Sequence, residues 1–477
     1  MTDRPAALSD HRALEALRPG VHVHLVGIGG IGLSAIARVL LQKGYVVSGS
    51  DLSLSGITRE LVALGATVHQ GHTGENVAGA EAVIVSSAIP ESNPEITTAR
   101  EKGISVLKRG EALSWLTKDR YTIAVAGTHG KTTISAMIGL LLENAAQDPT
   151  IIVGGIIPEL GTNAKEGQGR YLVLEADEYD RTFLHFRPQA AVVTSIEMDH
   201  PDCYADVQDM AEAFRQFLSN MPAGGFVLAC ADDSLARRIV EDLSHLEVAT
   251  YGLSSEAQWR AASLEQNGLG GTDFVVTDRD VQKGWFQLSI PGEHNVANAL
   301  AAIGMADHLG LSLSSVRETL KRFQGVGRRF EVKGKREGIT VVDDYAHHPS
   351  EIRATLAAAR RRYDGRKIWV VFQPHTYSRT KALLDEFARA FGDADQVVVT
   401  EIYPARETDT LGMRAQDLVE VMDHAHSSHI ADLNEAARRV ADQLVPGDVL
   451  LTMGAGDVWR VGEQVLDILG EREEQGD

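Results

Sequence analysis

Residues 121–133 read YTIAVAGTHGKTT, an apolar run with β-branched residues that breaks into a glycine-bounded loop before the apolar segment 134–142. The pattern predicts strand, loop and helix, and nothing else in the chain constrains its fold as tightly. In such a turn Gly127 and Gly130 let backbone N–H groups point toward one place, and the helix N-terminus adds partial positive charge. Lys131 then reaches terminal phosphates and Thr132 offers a hydroxyl to Mg2+. The ligand that suits the loop is a nucleoside triphosphate. The general form G-x-x-x-x-G-K-[ST] has a glycine where Val125 stands, and Gly127 comes two residues later. The loop's shape departs from that form while its chemistry is kept.

A second glycine turn opens the chain. The apolar stretch 21–26 runs into Gly27-Ile28-Gly29-Gly30-Ile31-Gly32, then a helix to about Lys43 and a strand ending at Asp51. This is a βαβ unit with G-x-G-x-x-G in its confirming context, and Asp51 stands where a carboxylate takes ribose hydroxyls. Read alone it suits NAD and an oxidoreductase, a reading that leaves the phosphate loop unexplained. A further strand, 82–85, delivers Ser86 to the same crevice if the sheet is parallel.

Beyond the phosphate loop, strand 171–174 ends in Glu175-Ala176-Asp177-Glu178-Tyr179-Asp180 and strand 190–194 in Ser195-Ile196-Glu197-Met198-Asp199-His200-Pro201. Asp177, Glu178 and Asp180 read as caps of the next helix. Glu175, directly after an uninterrupted apolar strand, reads as a Mg2+-holding acid beside the phosphate loop. His200 lacks partners at zinc spacing, and Cys203 reads as a small buried residue. Asn295 and Asn298 lie near a helix start, where an N-cap is the alternative to a ligand contact. After Gly325-Val326-Gly327, a hinge, strands and helices alternate anew, and four strand ends carry polar clusters: Asp343-Asp344-Tyr345-Ala346-His347-His348, His375 to Thr380, Glu401 to Glu407, and Gly454 to Asp457. Such a row favours a binding edge over a merely solvated one. The only low-complexity tract is an acidic tail, 470–477.

A chain of 477 residues exceeds one ordinary core, and its abundant glycine suits α/β architecture. The expected organisation is three α/β domains: a Rossmann-like domain over 1–118, a central P-loop ATPase-like domain over 119–324, and a Rossmann-like C-terminal domain over 325–477. The formal net charge of −20 argues against non-specific nucleic-acid binding, so an anionic ligand must be held locally by glycine turns, helix ends and a few basic side chains. Two cysteines, no apolar run long enough to span a membrane and no apolar signal-peptide core predict a cytoplasmic protein.

Taken in order, GIGGIGLSA, GTHGKTT, EADEYDRTFLHFRP, EMDHPDCY, PGEHNVANALAA, GVGRRFE, DDYAHHP, PHTYSRT and GAGD carry a recognisable pattern. The chain resembles the Mur ligases of peptidoglycan precursor synthesis over nearly its whole length, most closely their alanine-adding branch. The resemblance implies that the first domain binds UDP-N-acetylmuramate rather than NAD, through Gly29, Gly30, Ile31, Gly32, Asp51, Ser86, Arg109 and His129. It implies that ATP is held by Gly127, Thr128, His129, Gly130, Lys131, Thr132, Thr133, Asn295, Arg329 and Asp344, and Mg2+ by Thr132, Glu175 and His200. Lys131, His200, Arg329 and His347 are the implied catalytic residues; His348, His375, Arg379 and Arg406 belong to the amino-acid side of the closed site. The implied reaction is ATP-dependent activation of the lactoyl carboxylate as an acyl phosphate, captured by the amine of L-alanine, by a monomer or homodimer whose third domain closes over the second. Residues 201–222 contain no lysine, so the carbamylated lysine of several relatives should be absent. Tyr403-Pro404-Ala405-Arg406-Glu407 departs from the Tyr-Ala-Ala-Gly-Glu form of many alanine-adding members. A recycling ligase that attaches a whole peptide is the nearest alternative, and a non-catalytic relative would have to lack one of these residues.

Overall fold

The computed structural model describes residues 18–476; the polar leader before them and the last residue of the acidic tail lie outside the described residues. The chain divides into two compact units. The first holds the described chain to Ser195 with Ala211–Ala249 and Met305–Leu311; the second holds Ile196–Met210, Thr250–Gly304 and the chain from Ser312 on.

The first unit contains two runs of parallel sheet. β1 (His22–Val26), α1 (Ile31–Gln42), β2 (Val46–Asp51), β3 (Thr67–Gln70), β4 (Ala82–Val85), α2 (Pro94–Glu101), β5 (Ser105–Lys108) and α3 (Arg109–Leu116) build a sheet of order β3-β2-β1-β4-β5. All its pairs are parallel, so the C-terminal ends of β1, β2 and β4 share one edge, as the βαβ reading requires. Gly49 on β2 has a packing reason to be glycine. A Cβ there would sit 2.6 Å from both Ile28 Cδ1 and the Leu25 carbonyl oxygen, so the glycine turn could not close against the strand.

β6 (Tyr121–Ala126) and α4 (Lys131–Asn144) flank the phosphate loop. Around them lie β7 (Thr150–Ile157), β8 (Thr162–Lys165), β9 (Tyr171–Glu175), β10 (Ala190–Val193) and β11 (Phe226–Cys230), in the order β11-β10-β6-β9-β7-β8, parallel except for the β7–β8 pair. Every residue of β10, and every residue of β6 after Tyr121, is buried, the mark of parallel strands covered on both faces.

In the second unit the last residues of β12 (Glu247–Gly252) pair with β13 (Trp259–Gln266), which continues antiparallel into β14 (Thr272–Asp278) and β15 (Val281–Leu288). α5 (Glu293–His308) follows. The C-terminal part has the sheet order β16-β17-β21-β18-β19-β20, made by β16 (Glu331–Arg336), β17 (Ile339–Asp344), β18 (Ile368–Phe372), β19 (Gln396–Val399), β20 (Ser427–His429) and β21 (Val449–Met453). Only β16 pairs antiparallel. Alternation along β18 separates two cores: Ile368, Val370 and Phe372 pack with Ile352 and Leu356 of α6 (Pro349–Arg362), while Trp369 and Val371 pack with Val440, Val461 and Val465 on the other face.

The mixed α/β class with three sheet-bearing parts stands as expected. The acidic tail continues the last helix, Trp459–Gly476; its residues 471–474 are exposed, and Glu473 accepts the Glu337 N–H at 2.6 Å.

Candidate functional site

The phosphate loop is clamped from behind. The Thr128 N–H donates to the Ser195 carbonyl at 2.7 Å, the Thr194 hydroxyl donates to the His129 carbonyl at 2.6 Å, and the Ala176 N–H donates to Val125 at 2.9 Å. Gly127 carries φ +131° and leaves no room for a side chain: a Cβ would overlap the Thr194 hydroxyl and lie 2.9 Å from the Thr194 nitrogen. Gly127→Ala should therefore cost about 2–5 kcal/mol through backbone strain and overpacking, and weaken nucleotide binding at least tenfold. Thermal unfolding with titration of a fluorescent ATP analogue checks this; unchanged affinity would mean that the loop does not need this backbone.

Lys131 opens α4 with its ammonium 2.8 Å from both Glu178 oxygens, and it also donates to the carbonyls of Gly127 and Thr128. Glu178 is 1% exposed. Burial pushes its carboxyl up to about 7 against the pull of Lys131, whereas Lys131 stays protonated because Glu178 and its acidic neighbours outweigh burial. This corrects the helix-cap expectation for Glu178, whose side chain makes no cap hydrogen bond. Left-handed backbone at Asp180 and Arg181 (φ 53° and 51°) kinks the following segment, and no regular helix follows directly for these acids to cap. Asp177 does accept the Tyr179 N–H at 3.1 Å, but it also pairs with Arg109; Asp180 lies 3.4 Å from Lys108.

Glu175 stands beside Val125 in the strand register, two residues before Gly127, and its Oε1 accepts the Gly154 N–H at 2.5 Å. Thr132 sits in the first turn of α4. A carboxylate and a hydroxyl flanking one phosphate loop are hard oxygen donors, so the donor set in this unit fits Mg2+, a cation that keeps several waters of its own.

At the edge of the first sheet the N–H groups of Gly27 and Ile28 both donate to the Ser50 carbonyl, at 2.8 and 3.0 Å, and the Gly29 N–H donates to Asp51 Oδ2 at 3.0 Å. Asp51 is thus engaged with the glycine turn itself. The Arg109 guanidinium lies against Gly32, where a Cβ would come within 2.6 Å of it, and Ser86 lies beside Gly27. Gly29, Gly32, Asp51, Ser86 and Arg109 thus lie around one turn; the Ile31 carbonyl accepts from Asn163 at 2.8 Å.

In the second unit Asn295 is inside the first turn of α5, not its N-cap, and donates to the Pro291 carbonyl at 2.7 Å. Asn298 donates to the Asn295 side-chain oxygen at 3.1 Å. Asp344 is the last residue of β17 and accepts the N–H groups of Phe330 and Ala346 at 2.8 and 2.7 Å. Burial pushes its carboxyl up to about 6 although Arg329 and both N–H donors oppose this. Arg329 lies over the Tyr345 ring and 3.6 Å from Glu351. His347 donates from Nδ1 to the Tyr345 carbonyl at 3.0 Å and pairs with Glu351 at 3.2 Å, while His348 caps α6.

Asp199 and Arg379 are buried together: Nε and Nη2 of Arg379, on α7 (Tyr377–Ala382), stand 2.8 and 2.7 Å from Asp199 Oδ1. Burial alone would raise Asp199, but Arg379 and the neighbouring histidines hold it well below the usual carboxylate range. His200 donates its N–H to the same carboxylate at 2.7 Å with φ 52°. His375 stacks on Tyr403 at 5.6 Å and lies 3.2 Å from Arg379; burial, then His347 and Arg379, hold it well below its ordinary value. Arg406 pairs with Asp202 at 2.6 Å. Neither cysteine is in a disulfide, and Cys203 is half-buried, which corrects the expectation of a buried residue.

Three supporting residues escaped the sequence reading. Arg328, next to the predicted Arg329, donates to Asp343 and to the Gly454 and Gly456 carbonyls, clipping the hinge to the Gly454–Asp457 turn. Glu351 gathers Arg329, His347 and the backbone of His348. Glu407 accepts the N–H groups of Tyr377 and Ser378 at the start of α7. An acid three residues into a predicted helix, after His348, was the available signal for Glu351.

Three family models match in succession: "Mur ligase family, catalytic domain" over residues 22–121, "Mur ligase middle domain" over 125–306, and "Mur ligase, glutamate ligase domain" over 328–456. The chain is 45% identical over 468 residues to the UDP-N-acetylmuramate–L-alanine ligase of Salinibacter ruber, covering 97% of this chain and 98% of that protein. It is 46% identical over 447 residues to the enzyme of the same name from a Geobacter species, covering 93% and 96%. Among solved structures, the UDP-N-acetylmuramate–alanine ligase of Thermotoga maritima superposes with a TM-score of 0.80 at 30% identity, over 96% of this chain and all of that one. A murein peptide ligase of Psychrobacter arcticus gives 0.74 at 25% identity, over 94% and 99%.

Proposed function

The chain belongs to the Mur ligase family, and from that premise we infer that it is the ligase that joins L-alanine to UDP-N-acetylmuramate in peptidoglycan precursor synthesis. The observation that carries this is the 45% identity over 97% of the chain to a relative of that name, on a phosphate loop whose lysine is intact. ATP is the proposed energy source. The lactoyl carboxylate attacks the γ-phosphorus, the bond to the β-phosphate oxygen breaks, and ADP leaves; the alanine amine then attacks the acyl carbon, loses a proton and expels phosphate.

Two anions meet in the first step, so positive charge has to be in place before the reaction begins. Lys131 supplies it at the loop, and we assign Arg329 the same task on the transferred phosphoryl group. Mg2+, when held by Thr132 and Glu175 with His200 as a further proposed ligand, supplies charge neutralisation for the phosphate oxygens. The N–H groups of Gly127 to Thr133 bind the triphosphate, with Asn295 and Asp344 assigned to the rest of ATP. Gly29 to Gly32, Asp51, Ser86, Arg109 and His129 are assigned to the UDP-sugar, and His347, His348, His375, Arg379 and Arg406 to the amino-acid side. No covalent enzyme nucleophile enters this sequence. We infer a cytoplasmic reaction from the soluble metabolites it would use; among the described residues no helix is long and apolar enough to cross a membrane.

The test is phosphate release from ATP with Mg2+ and UDP-N-acetylmuramate, varying the acceptor among L-alanine, L-serine, glycine and a tripeptide. Release that needs the sugar nucleotide and is fastest with L-alanine is the expected result. Release with the tripeptide alone would move the protein to the peptide-recycling branch, and none with any acceptor would remove the ligase reading.

A further inference from the structure

A second polar centre adjoins the glycine turn of the first sheet, built from residues assigned to no ligand above. Glu95, at the start of α2, is 0% exposed, yet its carboxylate gathers three other elements. Oε2 accepts from the Ser50 hydroxyl of β2 at 2.7 Å and faces His72 Nδ1 at 2.9 Å, while Oε1 accepts from the Asn76 amide at 2.6 Å. His24 of β1, also fully buried, brings Nε2 to 3.6 Å from Oε1, beyond hydrogen-bond reach, and that nitrogen has no hydrogen-bond partner. Its Nδ1 shares the Ser48 hydroxyl with His22, at 2.8 and 2.7 Å, and the His69 ring centre lies 6.4 Å away. Among the described residues no lysine or arginine pairs with Glu95; the basic side chains beside it are the imidazoles of His24 and His72.

A buried carboxylate costs more than an apolar side chain of the same size would, so its stabilising value alone is a weak reason for it. What it holds is specific. Ser50, bound through its hydroxyl, is the residue whose carbonyl receives the N–H groups of Gly27 and Ile28. Asp51, the next residue, receives the Gly29 N–H on its side chain and the Gly71 N–H on its carbonyl, and Gly71 also accepts from Asn76. The chain of contacts thus runs from Glu95 through Ser50 and Asn76 to both flanks of the glycine turn.

We propose that Glu95 is a positioning residue for sugar-nucleotide binding, setting the glycine turn and the segment 71–76 through Ser50 and Asn76. The proposal rests on the assignment of the UDP moiety to that turn. The carboxylate is ionised in the folded protein: burial opposes this, but the adjoining His24 ring and the hydrogen bonds from Ser50, Asn76 and His72 hold it down to about 2.

The experiment is calorimetric titration of the full-length protein with UDP, alongside KM for UDP-N-acetylmuramate and for ATP, in wild type, Glu95→Gln, Ser50→Ala and Ser48→Ala. Glu95→Gln is expected to weaken UDP about tenfold and to raise KM for the sugar nucleotide in parallel, with KM for ATP within twofold, since one charged hydrogen-bond set is lost. Ser50→Ala cuts the links from β2 to Glu95 and His72 and is expected to fall between. Ser48→Ala opens the His22 and His24 contacts two residues earlier on the same strand without touching Glu95, and is expected to leave UDP binding within twofold. Equal weakening by Ser48→Ala and Ser50→Ala, or Glu95→Gln binding like wild type, would overturn the positioning role alone. Wild type that binds neither UDP nor the sugar nucleotide would overturn the site assignment and the proposal with it.

Discussion

Lys131→Ala is expected to lower ADP formation by ~10³-fold or more while leaving UDP binding within twofold. The ammonium is the one cation built into the phosphate loop, held between the Gly127 and Thr128 carbonyls and Glu178. The glycine turn that we assign to UDP is tied to Ser50 and Asp51 rather than to Lys131, so the two losses should separate. Stability must be followed in parallel, because the substitution leaves Glu178 buried without its cation. The sign of the pH effect identifies that cause. Glu178 already sits at about 7, above the unfolded value; without Lys131 it rises further, so the folded variant takes up a proton before the unfolded chain does. The stability deficit of Lys131→Ala should therefore shrink as pH falls below 7 and grow above it, and adding Glu178→Gln should flatten that dependence without restoring ADP formation. A variant that still makes ADP at a tenth of the wild-type rate would remove Lys131 from the chemistry.

The parallel strands and the loops at their ends were legible because local pattern and tertiary role coincide there. The runs 368–372 and 449–453 are apolar but for Thr452 since both faces of the sheet are covered, and β18 and β21 occupy those residues. The antiparallel β13 to β15 gave no such signal: Trp259–Gln266 mixes charged and small residues on half-exposed strands, and its register shifts between Ala262 and Glu265. At the site, glycines and the lysine could be placed from spacing, because backbone geometry alone decides their role. Partners could not be placed. Glu178 and Asp177 are one residue apart, yet one turns to Lys131 and the other to Arg109, and spacing does not say which. Arg328 and Arg329 are likewise adjacent with opposite tasks, and only the direction in which each leaves the backbone at the hinge separates the clip from the predicted phosphate contact.

Arg379 and Asp199 are 180 residues apart, and nothing in either motif announces the other. Removing one of two charges that are 4 and 6% exposed leaves the second without compensation, so Arg379→Ala should cost about 3–5 kcal/mol in the transition that unfolds the second unit. Asp199→Ala should cost about as much, and it also frees the His200 N–H, whose left-handed backbone that carboxylate helps to hold. The pair Asp199→Asn with Arg379→Met removes both charges at similar volume and should recover a large part of the loss, because desolvation of two ions no longer has to be offset. Activity should not follow. We propose His200 as a metal ligand, and a misplacement of about 1 Å in such a group costs roughly 10²-fold in rate, so the double variant is expected to be stable and slow. Denaturant unfolding of the two single variants and the double variant, with phosphate release measured on each, checks both halves. Single-variant losses below about 1 kcal/mol would show that the buried pair is dispensable to the fold, and a double variant with full activity would show that it is dispensable to His200.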